Sequence, residues 1–136
     1  ALVRMPHNTK THVSSSFLRG KFHYIGPVIN RNIQMTNLVD FAIAKKWTAT
    51  IPDVIQLYSF PTPNGVKISI ALEELALPYE AHLVSIFGDV NTPEFLSLNP
   101  NNKIPALIDP NGPDGQPIAL FESGAILIYL AEKPAN

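Results

Sequence analysis

The sequence predicts an α/β domain whose core is a four-stranded mixed sheet with helices on its faces. From Val54 to Lys133 the predicted segments follow the order β-α-β-α-β-β-α. The first two strands are joined through a helix, which favours a parallel pair with a right-handed crossover. The last two strands are joined by a short loop with two glycines and two prolines, which favours an antiparallel hairpin.

The first half of this order rests on three adjoining segments. Residues 54–60 (VIQLYSF) are rich in β-branched and aromatic residues, which is typical of a buried strand. Residues 62–65 (TPNG) have turn chemistry, and residues 66–77 place apolar side chains near helical spacing, so a turn and then a helix are expected. Residues 79–86 alternate in polarity and predict the second strand.

The second half begins with a short helix over residues 91–100. Thr92 suits the N-cap, Pro93 suits the first helical position, and Glu94 suits the positive helix end. The segments that follow are a third strand, a hairpin loop, a fourth strand and a long final helix: 104–109, 110–116, 117–121 and 122–133.

Composition limits the possible chemistry. The chain has 136 residues, is 46% hydrophobic and carries a formal net charge of −1, which suits one domain with a packed core. This balance gives no reason to expect a nucleic-acid or membrane surface. There is no cysteine, so any thiol must be carried by a ligand. The absence of cysteine also fits a cytoplasmic protein, and the four histidines show no metal-ligand spacing.

Three zones are expected along the chain. Residues 1–34 form a basic, serine-containing tail without acidic residues, residues 35–53 form a lead-in segment, and residues 54–134 form the domain. The tail has three interpretations: a disordered tail, translated sequence upstream of a start at Met35, or a targeting segment.

The final predicted helix is apolar nearly all round. Residues 125–130 (AILIYL) are six apolar or aromatic residues in a row, without a charged residue among them. Such a helix should be buried on more than one side, and one sheet face cannot cover it. We therefore expect either that the chain continues in the full gene or that a partner covers the exposed side.

The Ile-Pro pair before the third strand is unusual, because proline cannot donate to a sheet ladder. Pro105 either starts the strand or follows a cis peptide bond, which is found in about 5–6% of X–Pro bonds in folded proteins. A cis bond would turn the backbone of Ile104 outward. Its N–H and C=O could then pair with a peptide-like ligand, as in strand addition.

Glu122 and Ser123 precede the final helix and have two interpretations. In the first, one of their side chains caps the helix. In the second, the helix start binds an anion, because free N–H groups and the helix dipole favour a carboxylate and the serine hydroxyl adds a bond. Glu122 would then take an ammonium group, so the pair would suit an α-amino-acid moiety.

Residues 62–65 also have two interpretations. Asn64-Gly65 is most simply a turn. This turn nevertheless opens a helix, whose N-terminus would lower the pKa of a ligand thiol held there. Thr62 offers a hydroxyl and Asn64 offers amide donors to such a thiolate.

Three stretches together resemble the N-terminal domain of glutathione transferases, most closely that of the nu-class bacterial enzymes and their fungal nitrogen-regulator relatives. They are residues 57–80 (LYSFPTPNGVKISIALEELALPYE), 93–109 (PEFLSLNPNNKIPALID) and 120–133 (LFESGAILIYLAEK). The resemblance implies a thioredoxin-like fold. Family members continue into an all-helical C-terminal domain, which this chain is expected to lack, so the resemblance implies a fragment.

The resemblance also implies how glutathione would bind. Pro105 would be the cis-proline, and the backbone of Ile104 would pair with the cysteinyl part. Glu122 and Ser123 would bind the γ-glutamyl end.

The same resemblance implies two further contacts. Asn64, with Thr62, would lie by the sulfur, where it would activate the thiol electrostatically rather than as a base. Asn102 and Lys103 would approach the glycyl carboxylate.

The activity implied is glutathione-dependent disulfide reduction, with weaker conjugation and peroxidase chemistry, without a metal and in a full-length homodimer. Two alternatives remain from other classes of protein. One is a non-enzymatic regulatory module, and the other is a general thioredoxin-like interaction domain. Neither a nucleic acid nor a membrane is expected as a binding partner.

Overall fold

A computed structural model describes residues 37–133, and the predicted tail, 1–34, lies outside them. The predicted order β-α-β-α-β-β-α is confirmed. The main elements are β1 (Ile55–Ser59), α1 (Pro63–Glu74), β2 (Tyr79–Leu83), α2 (Pro93–Leu98), β3 (Ala106–Asp109), β4 (Ile118–Phe121) and α3 (Ser123–Glu132).

The four strands form one mixed sheet in the order β2-β1-β3-β4. β1 and β2 pair in parallel through the α1 crossover, and β3 and β4 form an antiparallel hairpin, as the connection lengths predict. β1 and β3 pair antiparallel, so the register aligns Tyr58 with Ala106 and Ala106 with Phe121. The fold is α/β and thioredoxin-like.

α1 and α3 cover one face of the sheet. Leu57 of β1 pairs with Leu107 of β3, which pairs with Leu120 of β4, so the three side chains form a row across this face. They pack with two fully buried helix residues, Ile68 from α1 and Ile126 from α3. Their alternation with residues of the other face explains why the strands contain nearly continuous apolar runs.

α2 and the lead-in segment cover the opposite face. Tyr58 is the largest buried side chain there and stacks on His82 of β2, with ring centroids 4.7 Å apart. Phe95 of α2 and Ile43 of the lead-in segment are fully buried in the same cluster. The lead-in segment therefore completes the second core layer.

Residues 37–53, here called the N-terminal strap, are held to β2 by polar contacts as well. Trp47 Nε1 donates to the main-chain oxygen of Leu83 over 3.1 Å. The carboxylate of Glu80 accepts from the N–H groups of Thr50 and Ile51 at 2.8 to 3.0 Å. The sequence did not predict this anchoring, because no local pattern connects a side chain on β2 with the strap.

We predict that the strap detaches in acid before the sheet unfolds. The backbone N–H of Thr50 holds the pKa of Glu80 below its ordinary value of 4.5. A carboxyl group whose pKa is depressed by folding stabilises the folded state above its unfolded pKa, and this contribution is lost as the pH falls below that value. Asp89 contributes to stability with the same pH dependence, because its 2.7 Å ion pair with Lys46 of the strap lowers its pKa.

The readout is the fluorescence of Trp47, the only tryptophan of the chain. Its emission should shift in acid while the circular dichroism of the helices persists. In Glu80→Gln the shift should already be partly present at neutral pH and should depend less on acid. An identical acid profile in the two proteins would contradict the assignment.

Three details of the predicted elements were wrong. Residues 62–65 form the first turn of α1, because Thr62 caps the helix and Pro63 occupies its first position. Thr92 precedes α2, but its hydroxyl donates to the main-chain oxygen of Asp89 and makes no cap bond. β2 ends at Leu83, three residues before the predicted end.

The final helix is only half covered within the described residues. Ile126 and Leu130 are buried, whereas Ile128 keeps 48% of its surface exposed. On the neighbouring helix, Ile70 keeps 58% exposed. Among residues 37–133, no helix is both long and apolar enough to cross a membrane.

Candidate functional site

The chain segments that carry the predicted site residues meet at one edge of the sheet. The register places the end of β1, the start of β3 and the end of β4 side by side. α1 begins just after β1 and α3 begins just after β4, so both helix N-termini lie at this edge. The N–H groups of a first helical turn have no partner within the helix, and the helix dipole favours negative charge there.

A polar cavity of about 140 Å³ opens at this edge. It is lined by seven residues: Asn64, Asn99, Lys103, Ile104, Pro105, Glu122 and Ser123. Six of the eight predicted site residues are therefore brought together. The other two, Thr62 and Asn102, are not in the lining, and Asn99 was not predicted.

The peptide bond between Ile104 and Pro105 is cis, as predicted. Pro105 is buried and β3 begins only at Ala106. Within the part of the chain that the structure describes, neither the N–H nor the C=O of Ile104 has a hydrogen-bond partner. A backbone donor and acceptor without partners can bind the extended backbone of a peptide-like ligand.

The start of α3 presents backbone donors to the cavity. Glu122 occupies the N-cap position with φ 72° and ψ 116°, and its side chain makes no cap bond. Ser123 is the first helical residue, and no hydrogen bond of its side chain is found among the described residues. The interpretation in which one of these side chains caps the helix was wrong. The first-turn N–H groups, the hydroxyl and the carboxylate all remain available to a ligand.

The start of α1 contributes Asn64. Thr62 Oγ1 accepts from the N–H of Gly65 over 3.1 Å, so the hydroxyl oxygen serves as the helix cap. Asn64 Oδ1 accepts from Lys67 Nζ over 3.0 Å, which directs the carbonyl side of the amide toward the lysine. Its amide nitrogen has no partner within residues 37–133 and can donate to a ligand.

Gly65 is required at this turn for steric reasons. A Cβ at this position would lie 2.1 Å from the main-chain oxygen of Phe60 and 2.5 Å from Ser59 Oγ. Only a glycine allows the first turn of α1 to approach β1 so closely. The close approach fixes where Asn64 stands relative to the strand.

The loop from Asn99 to Ile104 contributes three residues to the lining: Asn99, Lys103 and Ile104. Asn99 is 1% exposed, and its Nδ2 donates to the main-chain oxygen of Lys103 over 2.7 Å. Asn102 has a positive φ of 49°, and its Nδ2 donates to Asn91 Oδ1, so its amide side chain is engaged outside the cavity. Lys103 is exposed and brings a positive charge.

Sequence reasoning missed Asn99 because it placed this residue within the short helix predicted over residues 91–100 and gave it no further role. The available signal was an asparagine at the end of a helix followed by proline. Asparagine in this position commonly bonds the backbone two residues on, and here Asn99 Oδ1 accepts from the N–H of Asn101.

The arrangement as a whole suits a ligand with charges at both ends. Lys103 supplies a cation, and Glu122 supplies an anion beside the donors of α3. The register places Ile104, whose backbone has no hydrogen-bond partner among the described residues, between the start of α1 with Asn64 and the start of α3 with Glu122. Among residues 37–133, no group of three or more histidines and carboxylates could hold a metal ion.

Known proteins are similar to this chain in sequence and in fold. The family model "Glutathione S-transferase, N-terminal domain" matches residues 62–133, which is more than half of the 136-residue chain. The chain is 55% identical over 82 residues to Disulfide-bond oxidoreductase YfcG of Escherichia coli (strain K12), with 59% of this chain and 38% of that protein covered.

Two solved structures are similar in both sequence and fold. A glutathione transferase from Pseudomonas putida, with one glutathione disulfide bound per subunit, is 64% identical with a TM-score of 0.69 over 71% of this chain and 42% of that chain. One from Burkholderia graminis, with two glutathione molecules bound per subunit, is 68% identical with a TM-score of 0.69 over 76% and 44%. The present chain thus spans less than half the length of these relatives.

Proposed function

Because the chain belongs to the glutathione S-transferase family through its N-terminal domain, we propose that its cavity binds glutathione and activates the glutathione thiol. The observation that carries the proposal is the unpaired backbone of Ile104, set between Asn64 on one side and Glu122–Ser123 on the other. Glutathione is a peptide with an amino-acid group at one end, so its chemistry matches that arrangement.

In the proposed complex each part of glutathione has a partner. The N–H and C=O of Ile104 pair with the cysteinyl backbone. The first-turn N–H groups of α3 and the hydroxyl of Ser123 bind the γ-glutamyl carboxylate, and Glu122 binds the ammonium group. Lys103 attracts the glycyl carboxylate, with Asn102 holding the turn that precedes it.

The thiol lies by Asn64 at the N-terminus of α1. The helix end and the amide of Asn64 stabilise the thiolate and so lower the pKa of the thiol. Thr62 caps that helix end, because its hydroxyl oxygen accepts from the N–H of Gly65, and the hydroxyl proton remains available to donate to the sulfur.

The reaction we propose is disulfide reduction. The glutathione thiolate attacks one sulfur of a disulfide, a new S–S bond forms, and the other sulfur leaves as a thiolate that takes up a proton. A second glutathione thiolate then releases the reduced product and leaves glutathione disulfide. Support comes from the similarity to a disulfide-bond oxidoreductase and to a structure holding glutathione disulfide. Attack on an electrophilic carbon or a peroxide uses the same thiolate.

The proposal extends to assembly and location. The exposed apolar residues Ile70 on α1 and Ile128 on α3 support coverage by further protein, which in a full-length protein would include a homodimer contact. A cytoplasmic location is supported by the absence of cysteine. The division into a tail, a lead-in segment and a domain at 54–134 stays a prediction.

Binding is tested by titrating the chain with reduced and oxidised glutathione and following backbone amide shifts. Saturable shifts at Ile104 and Ser123 are expected. A folded spectrum without any response at millimolar glutathione would contradict the proposal for this chain.

Replacing Asn64 by alanine is expected to leave glutathione affinity within about twofold while raising the pKa of the bound thiol by about one unit, since one donor to the thiolate is lost. The measurement is the ultraviolet absorbance of the thiolate against pH at saturating glutathione. Asn101→Ala is the matched control, because Asn101 is exposed and lies outside the cavity lining. An equal pKa in the Asn64 variant and the control would contradict the role.

A further inference from the structure

We propose that Asn99 is a positioning residue that sets the orientation of the Ile104 backbone for its ligand. The inference rests on the proposed function and deepens it, because it names what holds the ligand-facing backbone in place. Asn99 lines the cavity and keeps only 1% of its surface exposed. A buried polar side chain at a binding site must have its hydrogen bonds satisfied, and the partners of Asn99 show what it restrains.

Three hydrogen bonds of Asn99 close the loop over residues 99–103, and a fourth joins it to α2. Its Nδ2 donates to the main-chain oxygen of Lys103 over 2.7 Å, and its Oδ1 accepts from the N–H of Asn101 over 2.9 Å. Its own main-chain oxygen accepts from the N–H of Asn102, and its N–H donates to Phe95 in α2. The side chain therefore braces the loop from inside and ties it to a helix.

The bond to Lys103 has a direct consequence for the ligand. The carbonyl of Lys103 and the N–H of Ile104 belong to the same planar peptide unit, so fixing one fixes the other. With the carbonyl held by Asn99, the N–H of Ile104 is held in the opposite direction. A preorganised donor costs less entropy on binding than one that must be ordered first.

The bond is also specific to an amide. The N–H of Asn101 requires an acceptor and the carbonyl of Lys103 requires a donor, and one asparagine side chain supplies both. Aspartate has nearly the same shape and would keep the bond to Asn101. It would, however, turn an oxygen toward the carbonyl oxygen of Lys103 and release that peptide unit.

The test compares Asn99→Asp with the matched control Asn101→Asp, both made in the whole chain. The control adds the same charge to the same loop, at an exposed side chain for which no hydrogen bond is found among the described residues. Reduced glutathione is the probe, and amide shifts and ¹⁵N relaxation are the readouts. Asn99→Ser, which keeps an acceptor for Asn101 but does not reach Lys103, replaces the aspartate variant if that protein does not fold.

The expected result has two parts. Without ligand, the amides of residues 101–104 should lose order in Asn99→Asp while Ser123 keeps its order. With glutathione, the Kd should rise about fivefold, and the shift of Ile104 at saturation should fall more than that of Ser123. The control should change neither reading.

Two results would overturn the proposal. In the first, the variant loses only thermal stability and binds glutathione like the control when measured well below its unfolding temperature. In the second, the loop keeps its order without ligand. If the wild-type chain binds no glutathione, the proposed function fails, and the relaxation measurement still decides whether Asn99 orders Ile104.

Discussion

Replacing Glu122 by alanine is expected to weaken glutathione binding by about 10- to 100-fold, because a hydrogen bond to a charged group contributes about 1.5–3 kcal/mol. Its carboxylate is the only predicted partner for the ligand ammonium group in the cavity lining. No other side chain of the lining carries a negative charge that could replace it. The loss should therefore be larger than that caused by any other single change in the site.

The measurement is calorimetry or amide-shift titration with reduced glutathione. Glu132→Ala is the matched control, since it removes an exposed carboxylate from the other end of the same helix. Glu122→Gln separates charge from shape and should recover only part of the affinity. If Glu122→Ala and the control bound glutathione equally, the γ-glutamyl end would have to lie elsewhere.

Replacing Asp109 by alanine is expected to lower the free energy of unfolding by about 3–5 kcal/mol, which is the usual cost of breaking a buried ion pair from one side. Asp109 is 1% exposed, and its Oδ2 accepts from Lys133 Nζ and from Tyr129 Oη, each over 2.6 Å. Its Oδ1 accepts from the N–H of Asn111 over 2.8 Å. The substitution would leave Tyr129 Oη and the N–H of Asn111 without their acceptor, and the largely buried ammonium group of Lys133 with only the main-chain oxygen of Asn111.

Urea denaturation followed by circular dichroism measures this loss. Asp53→Ala is the control, because Asp53 is an exposed carboxylate near the same hairpin loop. Lys133→Met tests the pair from the other side and should cost less, since Tyr129 and Asn111 still bond the carboxylate. A midpoint for Asp109→Ala close to that of Asp53→Ala would show that the cluster contributes little to stability.

The sequence predicted the fold well because each local signal agreed with the architecture. The helix between β1 and β2 and the glycine- and proline-rich loop between β3 and β4 determined the strand directions. The errors occurred at element ends, where side-chain bonds decide the outcome. Residues 62–65 look like a turn, but the cap formed by Thr62 draws them into α1.

The site residues that lie at the start of a helix or strand could be predicted from the sequence. Ile104, Glu122 and Asn64 could be found because Ile-Pro, Glu-Ser and Asn-Gly stand at such junctions. For Asn99 the sequence offers only the local signal of an asparagine before proline at a helix end, and this signal shows neither its burial nor its bond to Lys103. The anchoring of the strap to β2 was not predicted for a similar reason, because the strap's partners lie about 30 residues further along the chain.

Because of the N-terminal strap, the segment that folds as one unit is longer than the segment that the family model matches. The shared family pattern begins at residue 62, after β1, while the hydrophobic layer that completes the sheet is built from as far back as Leu38. A segment cut at residue 62 would lack the central strand β1, which carries Tyr58, and also the strap residues that pack in the same cluster as Ile108. Any design that reuses this domain therefore has to include the preceding stretch, which lies outside the residues that the family model matches.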